Sequence, residues 1–325
     1  MWCREDYSIS KIISARSELV NAAFVSSVKS PAKFVDLAQE IALSRRSVEM
    51  EVSLKGIPRA DVSYDSTHTP MGPQGRLAEA RLSSNPAADQ KMEYLASDSS
   101  ANATDAMLEL YSSGIDTNSI SKMLSIGLLG TKTQRKLVPT RWSITAVDDT
   151  LGKKFIEEIK SFDWVDSYKL FFNSYLGNSF AVLLMPRFWS FELIEAYYPG
   201  SVWLMQGEKK MISDYETNLP RKQYADSTGG AYYAIRLAAL EYLKKVRRQA
   251  SVLVLREIGS EYYAPLGVWV TRETVRNAFS KEMSFPSFSQ ALAELGKRMK
   301  SSKEDLLAKS ALLSDSKKQR TLRDF

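Results

Sequence analysis

Residues 229–258 read GGAYYAIRLAALEYLKKVRRQASVLVLREI, and two successive patterns in this stretch decide the fold class. Apolar residues recur at helical spacing after the Gly229-Gly230 pair, which predicts a helix from Tyr232 to about Val246. From Ser251 to Ile258 the chain is almost continuously apolar, which is typical of a buried strand. A strong helix is thus followed at once by a buried strand, so the chain contains both kinds of element.

Outside this stretch, helical and strand patterns alternate irregularly. Further helical patterns occur within 8–46, at 105–112, 120–126 and 155–162, and in the final third of the chain. Strand patterns occur at 48–54, 142–147, 180–185, 192–198, 202–205 and 266–270, and residues 57–86 predict a long loop. This order is typical of a mixed α/β or α+β fold. We expect two closely associated domains, at 1–205 and 206–310, followed by a flexible tail at 311–325.

Composition indicates a folded protein and excludes several classes. The 325 residues are 44% hydrophobic and 25% charged, which is ordinary for a globular chain of about two domains. Apolar runs are far shorter than the ~18 residues needed to cross a bilayer, and the start of the chain lacks the apolar core of a signal peptide. The single cysteine, Cys3, excludes an internal disulfide and fits a reducing compartment. We therefore expect a cytoplasmic protein with no membrane partner.

The single histidine, His68, limits the chemistry that the chain can perform. Clusters of histidine ligands are impossible, and so is a Cys/His zinc site built by this chain alone. His68 lies in a loop, where a solvent-facing or hydrogen-bonded histidine is the more common case.

Basic residues exceed acidic ones, 44 against 38, which permits contact with nucleic acid without requiring it. Four of them, Lys244, Lys245, Arg247 and Arg248, cluster at the end of the predicted helix. The cluster can complement the helix dipole or bind phosphates, and the two roles are compatible.

Two pairs of carboxylates are candidates for catalytic chemistry. Asp148-Asp149 and Glu192 with Glu195 could hold Mg²⁺ or Mn²⁺ in a phosphodiester enzyme, with Glu257 as a further acid. Asp148 or Asp149 could instead cap a helix, because an aspartate before an amphipathic segment is commonly an N-cap. Buried glutamates in an aromatic stretch need a partner, and Arg141 or Arg236 could supply it.

Residues 107–124 read MLELYSSGIDTNSISKML, a helix–glycine–helix pattern. Asn102 or Thr104 could cap the first helix, and Gly114 would allow the corner. In a helix-turn-helix protein the second helix would present Asn118, Ser119 and Lys122 to the major groove. An ordinary helical corner gives the same pattern.

The last seven residues contain Gln319, Leu322 and Phe325 at three-residue intervals. In one 3₁₀ turn, the side chains at positions i and i+3 lie on the same side. Leu322 and Phe325 would therefore form one apolar contact surface, and Gln319 would make a separate hydrogen bond. This is the spacing of a peptide that binds a sliding clamp. The chain ends at Phe325 without the second aromatic residue usual in such peptides, so we expect weaker binding.

Residues 135–150, RKLVPTRWSITAVDDT, closely resemble the signature of the archaeal Nre DNA repair proteins. Further segments agree in order, at 175–180, 189–196, 199–201, 229–238, 256–258 and 263–269. The resemblance implies a cytoplasmic archaeal protein of DNA repair whose terminal peptide binds PCNA, the replication sliding clamp, and it makes 1–205 and 206–310 the two Nre-like domains. Members often carry a cysteine-rich zinc finger, which this chain, with Cys3 alone, cannot form.

The signature also contains polar residues within an apolar run, namely Arg141, Ser143, Asp148 and Asp149, which suits a preorganised site or a buried ion pair. The leading hypothesis is a DNA repair factor recruited by PCNA. The alternatives are a metal-dependent or nucleotide-using enzyme acting on damaged DNA and a helix-turn-helix transcription regulator.

Overall fold

The computed structural model of the chain describes residues 2–3, 5–26, 33–58, 69–219 and 221–318. The helices are α1 (Ile9–Ser17), α2 (Lys33–Ala42), α3 (Gln90–Ser97), α4 (Ala103–Ser112), α5 (Thr117–Ser125), α6 (Thr140–Ile159), α7 (Gly230–Val246), α8 (Trp269–Ala278), α9 (Phe288–Arg298), α10 (Lys303–Lys309) and α11 (Ala311–Lys318). The strands are β1 (Asn21–Ala23), β2 (Met50–Leu54), β3 (Gln74–Leu82), β4 (Tyr168–Tyr175), β5 (Asn178–Met185), β6 (Ser190–Tyr197), β7 (Lys210–Glu216), β8 (Ser251–Ile258) and β9 (Met283–Phe285). Helices mixed with two sheets confirm the predicted α+β class. None of the helices in the described ranges combines the length and the apolar character that a transmembrane span requires.

A six-stranded sheet lies at the centre of the larger compact unit, which comprises residues 152–325 and two short N-terminal segments. The strand order is β7-β6-β8-β5-β4-β9. Neighbouring strands are antiparallel except β6 and β8, which run parallel. All residues of β8 are buried, because helices cover both faces of the sheet.

Different helices cover the two faces. Phe191 packs edge-on against Tyr232 of α7, with ring centres 5.0 Å apart. The opposite face carries an apolar core with the last three helices, and its members include Ile194, Leu253, Leu292, Leu306 and Leu313. Because side chains alternate along a strand, Glu195 shares the α7 face with Phe191, whereas Glu192 shares the α9–α11 face with Ile194.

The smaller unit comprises residues 13–63 and 70–151, with the sheet β1-β3-β2 and helices α2–α5. The side chain of Asn102 caps α4 by accepting from the backbone N–H of Asp105, and Asp116 caps α5 in the same way. Gly114 separates the two helices with φ of 82°, a backbone conformation that favours glycine. The two helices predicted on either side of Gly114 are confirmed.

The strand predicted at 142–147 is wrong, because these residues belong to α6. Val147, Leu151 and Phe155 are buried at four-residue spacing along this helix, whereas Trp142 is 61% exposed. The helical spacing of the buried residues 147–155 therefore decides the secondary structure, and the short apolar–polar alternation before it does not. Consequently Asp148 and Asp149 lie inside α6 and are not its N-cap.

Three other sequence predictions also need correction. Residues 202–205 form turns with a single bridge between Ser201 and Leu204, and residues 266–268 are irregular, with α8 starting at Trp269. The segment 57–86, predicted as a loop, contains strand β3, in which Gly75 and Leu77 are buried at period two. The strands predicted at 180–185, 192–198 and 251–258 and the helix at 232–246 are confirmed.

The predicted domains at 1–205 and 206–310 stay a prediction. Of the predicted tail, the structure describes residues 311–318, which form α11.

The hairpin between β4 and β5 generates a test of the fold. Its two-residue turn places Leu176 and Gly177 at φ of 50° and 70°, the conformation of a type I′ turn. A Cβ on Gly177 would lie 2.5 Å from the backbone nitrogen of Tyr262. We expect Gly177→Ala to lower the free energy of unfolding by about 2 kcal/mol or more.

The matched control is Gly296→Ala in the exposed part of α9, where a Cβ meets open space. There the same change should raise the free energy of unfolding by about 0.5–1 kcal/mol. Urea denaturation of both variants measures whether the free energy of unfolding falls in Gly177→Ala and rises in Gly296→Ala. Equal changes in the two variants would contradict the prediction.

Candidate functional site

A buried ion pair joins the parallel strands β6 and β8. Arg256 lies directly opposite Glu195 in the register, and their side chains, each 3% exposed, approach to 2.6 Å. The amide oxygen of Asn178 accepts two more hydrogen bonds from the Arg256 guanidinium, at 2.9 and 2.5 Å. Tyr197 donates its hydroxyl proton to Glu195 at 2.5 Å. Burial, reinforced by the Glu195 carboxylate, raises the pKa of Tyr197, so the hydroxyl stays a donor.

This ion pair borders a cavity of about 590 Å³, which we call the Arg256 cavity. One wall is aromatic: the ring of Trp203 lies 5.8 Å from that of Tyr197 and 5.4 Å from that of Tyr262. The Arg256 guanidinium carbon lies 5.5 Å from the centre of the Trp203 ring. Trp203 is nevertheless 40% exposed. Its neighbours thus hold the indole in place while part of its surface stays open.

Two helices begin at the same cavity, α7 after Gly229 and α8 after Val268. Neither start carries a side-chain capping hydrogen bond. Gly229 is the residue before α7 and leaves its start without a side chain, whereas Gly267 lies two residues before α8; their φ angles are 58° and 91°. The first N–H groups of a helix carry partial positive charge, so this end of the cavity is electropositive.

The turn before α7 is held by a buried aspartate. Asp214 of β7 accepts hydrogen bonds from the backbone N–H and the hydroxyl of Thr228, at 2.8 and 3.0 Å. Arg221 balances its charge through an ion pair at 2.8 Å. These contacts fix where α7 starts relative to the edge of the sheet.

Arg236, predicted as a partner of the paired glutamates, instead pairs with Glu216 at the end of β7. Their side chains are 2.8 Å apart and each is 2% exposed. The guanidinium also lies against the rings of Tyr232 and Tyr233. Arg236 therefore contributes to the attachment of α7 to the sheet.

The predicted glutamates of β6 and β8 have separate sets of partners. Glu192 accepts hydrogen bonds from the Ser310 hydroxyl at 2.5 Å and from the backbone N–H groups of Ala311 and Leu312 at 2.9 and 3.0 Å. Glu257 accepts from the backbone N–H groups of Lys300 and Ser301 at 3.0 and 2.6 Å. In these contacts both carboxylates anchor C-terminal segments to the sheet.

The signature residues lie on the part of α6 that belongs to the smaller unit. Ser143 is buried and donates to the carbonyl of Thr140 at 2.8 Å, whereas Arg141 is exposed. Asp148 is buried and Asp149 half-buried. Their role in an anion or metal site stays a prediction.

The basic cluster at the end of α7 is accompanied by two exposed aromatic side chains. Trp164 and Phe188 contact each other edge-on, with ring centres 4.9 Å apart. The backbone of Gln249 pairs with the backbone beside Trp164, and its side-chain oxygen accepts a hydrogen bond from the backbone N–H of Trp189. The exposed Arg247 and Arg248 immediately precede Gln249. We call Trp164, Phe188, Arg247 and Arg248 the Trp164 surface.

The lysines of the cluster are also exposed, and Lys244 pairs with Glu158 at 2.7 Å. Among the residues that the structure describes, no group of three His, Cys, Asp or Glu side chains could hold a metal ion. The enzyme and helix-turn-helix alternatives stay predictions; Asn118 and Lys122 are exposed on α5, and Ser119 donates to Asp116. His68 and the terminal residues Gln319, Leu322 and Phe325 lie outside the described residues.

Of the residues that line the Arg256 cavity, only Glu195 was predicted from the sequence as a site residue. One signal was present, since Arg256 is a charged residue in an apolar strand pattern and must find a counter-charge when buried. Trp203 and Gly229 gave no comparable signal, because their role depends on chain segments that are distant in sequence.

Comparison with known proteins identifies the family. The family model described as "Archaeal Nre, N-terminal" matches residues 1–204, and that described as "Archaeal Nre, C-terminal" matches residues 216–325. The chain is 39% identical over 320 residues to a protein of Haloferax volcanii named DNA repair protein NreA, a match covering 96% of this chain and 76% of the relative. It is 36% identical over 326 residues to DNA repair protein NreB of Archaeoglobus fulgidus, covering 100% of this chain and 82% of the relative.

A third relative, DNA repair protein NreA of Archaeoglobus fulgidus, is 38% identical over 296 residues, covering 90% of this chain and 75% of that protein. No solved structure matches the chain. The chain belongs to the archaeal Nre family.

The anchoring role of Glu192 can be tested by its removal. Glu192→Ala leaves the Ser310 hydroxyl and two backbone N–H groups without their acceptor, so we expect a loss of about 1–3 kcal/mol in the free energy of unfolding. Glu192→Gln keeps one acceptor oxygen and should lose less. Urea unfolding measures both, and a Glu192→Ala variant as stable as the wild type would contradict the assignment.

The same two variants should differ from the wild type in how their stability depends on pH, because neither carries a carboxyl group at position 192. Burial outweighs the hydrogen bonds and raises the pKa of Glu192 above its usual 4.5. The folded protein therefore holds this proton to higher pH than the unfolded chain does, and ionisation of Glu192 lowers the stability as pH rises above that value. Glu192→Gln has no carboxyl group to ionise here, so its free energy of unfolding should lack this decrease with rising pH.

Proposed function

We propose that this chain acts in DNA repair and that PCNA recruits it through Gln319, Leu322 and Phe325. The observation that carries the recruitment is the three-residue spacing of these side chains in the last seven residues. The repair role is supported by the family and by three relatives that are each named as DNA repair proteins.

The anchoring of α11 supports the recruitment. Leu313 is 2% exposed and packs in the core beneath the sheet, and Glu192 binds the first N–H groups of this helix. The described part of this helix reaches Lys318, and Gln319 is the next residue in the sequence. A partner that binds the terminal peptide therefore keeps the folded part of the chain nearby. This raises the local concentration of the folded part at the partner.

The terminal peptide gives a direct test. Burial of Leu322 and Phe325 is worth about 3–6 kcal/mol before ordering costs. We expect Leu322→Ala with Phe325→Ala to weaken binding to an archaeal PCNA by at least about 100-fold, measured by titration calorimetry. The matched control is Thr321→Ala, which changes a position between the motif residues and should leave the affinity unchanged. Equal affinity of the double variant and the wild type would remove the proposal.

We propose that the Trp164 surface contacts the DNA. Proteins that bind single strands combine basic groups, which follow the backbone, with aromatic rings on which bases stack. Trp164 is 44% and Phe188 63% exposed, and because their rings are in contact they form one apolar patch beside the basic residues. The Arg247 guanidinium, fixed 5.0 Å from the Phe162 ring, lies in the same segment of the surface.

Salt dependence tests this contact. Arg247→Gln with Arg248→Gln should weaken binding of a single-stranded oligonucleotide and reduce the slope of log affinity against log salt by up to about two. The control is Lys297→Gln with Arg298→Gln on α9, which removes the same charge from a different helix. Fluorescence anisotropy at several salt concentrations measures both. An equal loss in the two variants would indicate a nonspecific charge effect and contradict the assignment.

A further inference from the structure

We propose that the Arg256 cavity binds one nucleotide unit, a base with a single phosphate, either as a free monophosphate or within a DNA strand. This inference does not depend on the PCNA contact or on the Trp164 surface. At about 590 Å³ the cavity lies within the size range of small-molecule sites.

The aromatic wall matches the base. Tyr197 and Tyr262 hold the Trp203 ring at 5.8 and 5.4 Å, and the guanidinium of Arg256 lies 5.5 Å from its centre. Because Trp203 is already fixed and 40% exposed, a planar base can stack on it with little loss of side-chain freedom.

Polar groups that hold one another in place border the cavity. Arg256 is held by Glu195 and Asn178, so its guanidinium cannot turn away, and Glu195 is held in turn by Tyr197. Donors and acceptors that are oriented in advance, next to an aromatic surface, are what distinguishes a ligand site from a plain apolar cavity.

The charge at the cavity favours a single phosphate. Among the described residues that line it, Arg256 is the one basic side chain, and Glu195 neutralises it. The electropositive groups that remain are the starts of α7 and α8, which attract an anion. Asp226 also lines the cavity, and its negative charge opposes additional negative charge on the ligand. A triphosphate therefore fits worse than a monophosphate.

Titration calorimetry with deoxyadenosine, its 5′-monophosphate and its 5′-triphosphate tests these points on the full chain. We expect the monophosphate to bind at least about tenfold more tightly than the nucleoside, because its phosphate meets the helix starts. We also expect it to bind more tightly than the triphosphate, and Asp226→Asn should reduce that preference. No binding, equal binding of nucleoside and monophosphate, or a preference for the triphosphate would overturn the proposal.

A matched pair of tryptophan variants locates the site. Trp203→Ala should weaken monophosphate binding by at least about fivefold, whereas Trp142→Ala, which removes an indole that is 61% exposed and lies outside the cavity, should leave it unchanged. Unchanged monophosphate binding in Trp203→Ala would overturn the assignment. Circular dichroism of both variants establishes that they are folded.

Competition distinguishes the two sources of the nucleotide. If a short oligodeoxyadenylate displaces the monophosphate, the cavity takes a nucleotide of a strand, and if it does not, the cavity takes a free nucleotide. Both results require that the monophosphate binds, and both support a site for a base with one phosphate. Arg247→Gln with Arg248→Gln should leave monophosphate binding intact, so a failure of the Trp164 surface is separable from a failure of the cavity.

Discussion

A guanidinium buried in a sheet must find its counter-charge and acceptors on neighbouring strands, and around Arg256 this requirement links β5, β6 and β8. Glu195 supplies the charge from β6 and Asn178 supplies an acceptor from β5. Leaving any of these groups unpaired would cost several kcal/mol, so the ion pair forms only when the three strands keep their register. The same register brings the aromatic wall and the start of α7 to one cavity.

Buried carboxylates on the other face of the sheet follow the same rule with different partners. Glu192 and Glu257 accept hydrogen bonds from backbone N–H groups of the C-terminal segments. A buried carboxylate in an apolar strand thus fixes the position at which a C-terminal segment packs against the sheet. For Glu192, this part is α11, the helix that leads to the terminal motif, which Leu313 also packs against the sheet.

The local sequence pattern predicted β8 and α7 correctly because nearly all of their residues are buried. Strand β8 is buried on both faces and the helix α7 is apolar around most of its surface, so short-range sequence sufficed for both. Prediction failed at 142–147, where the alternation of Trp142 and Ile144 suggested a strand. The deciding signal is the spacing of the buried Val147, Leu151 and Phe155, which begins later and becomes apparent only over about two helical turns. For the glutamates, the need for partners was predicted correctly, but not the partners themselves.

By itself the sequence determined the mixed fold class, the family signature at 135–150, the basic cluster and the spacing of the terminal motif, because each is a property of consecutive residues. Only the tertiary structure decided that Glu195 pairs with Arg256, that Arg236 pairs with Glu216 and that a cavity borders the first of these pairs. The physical reason is that strand pairing joins residues about sixty positions apart, and side-chain geometry then selects one partner among several of the right charge.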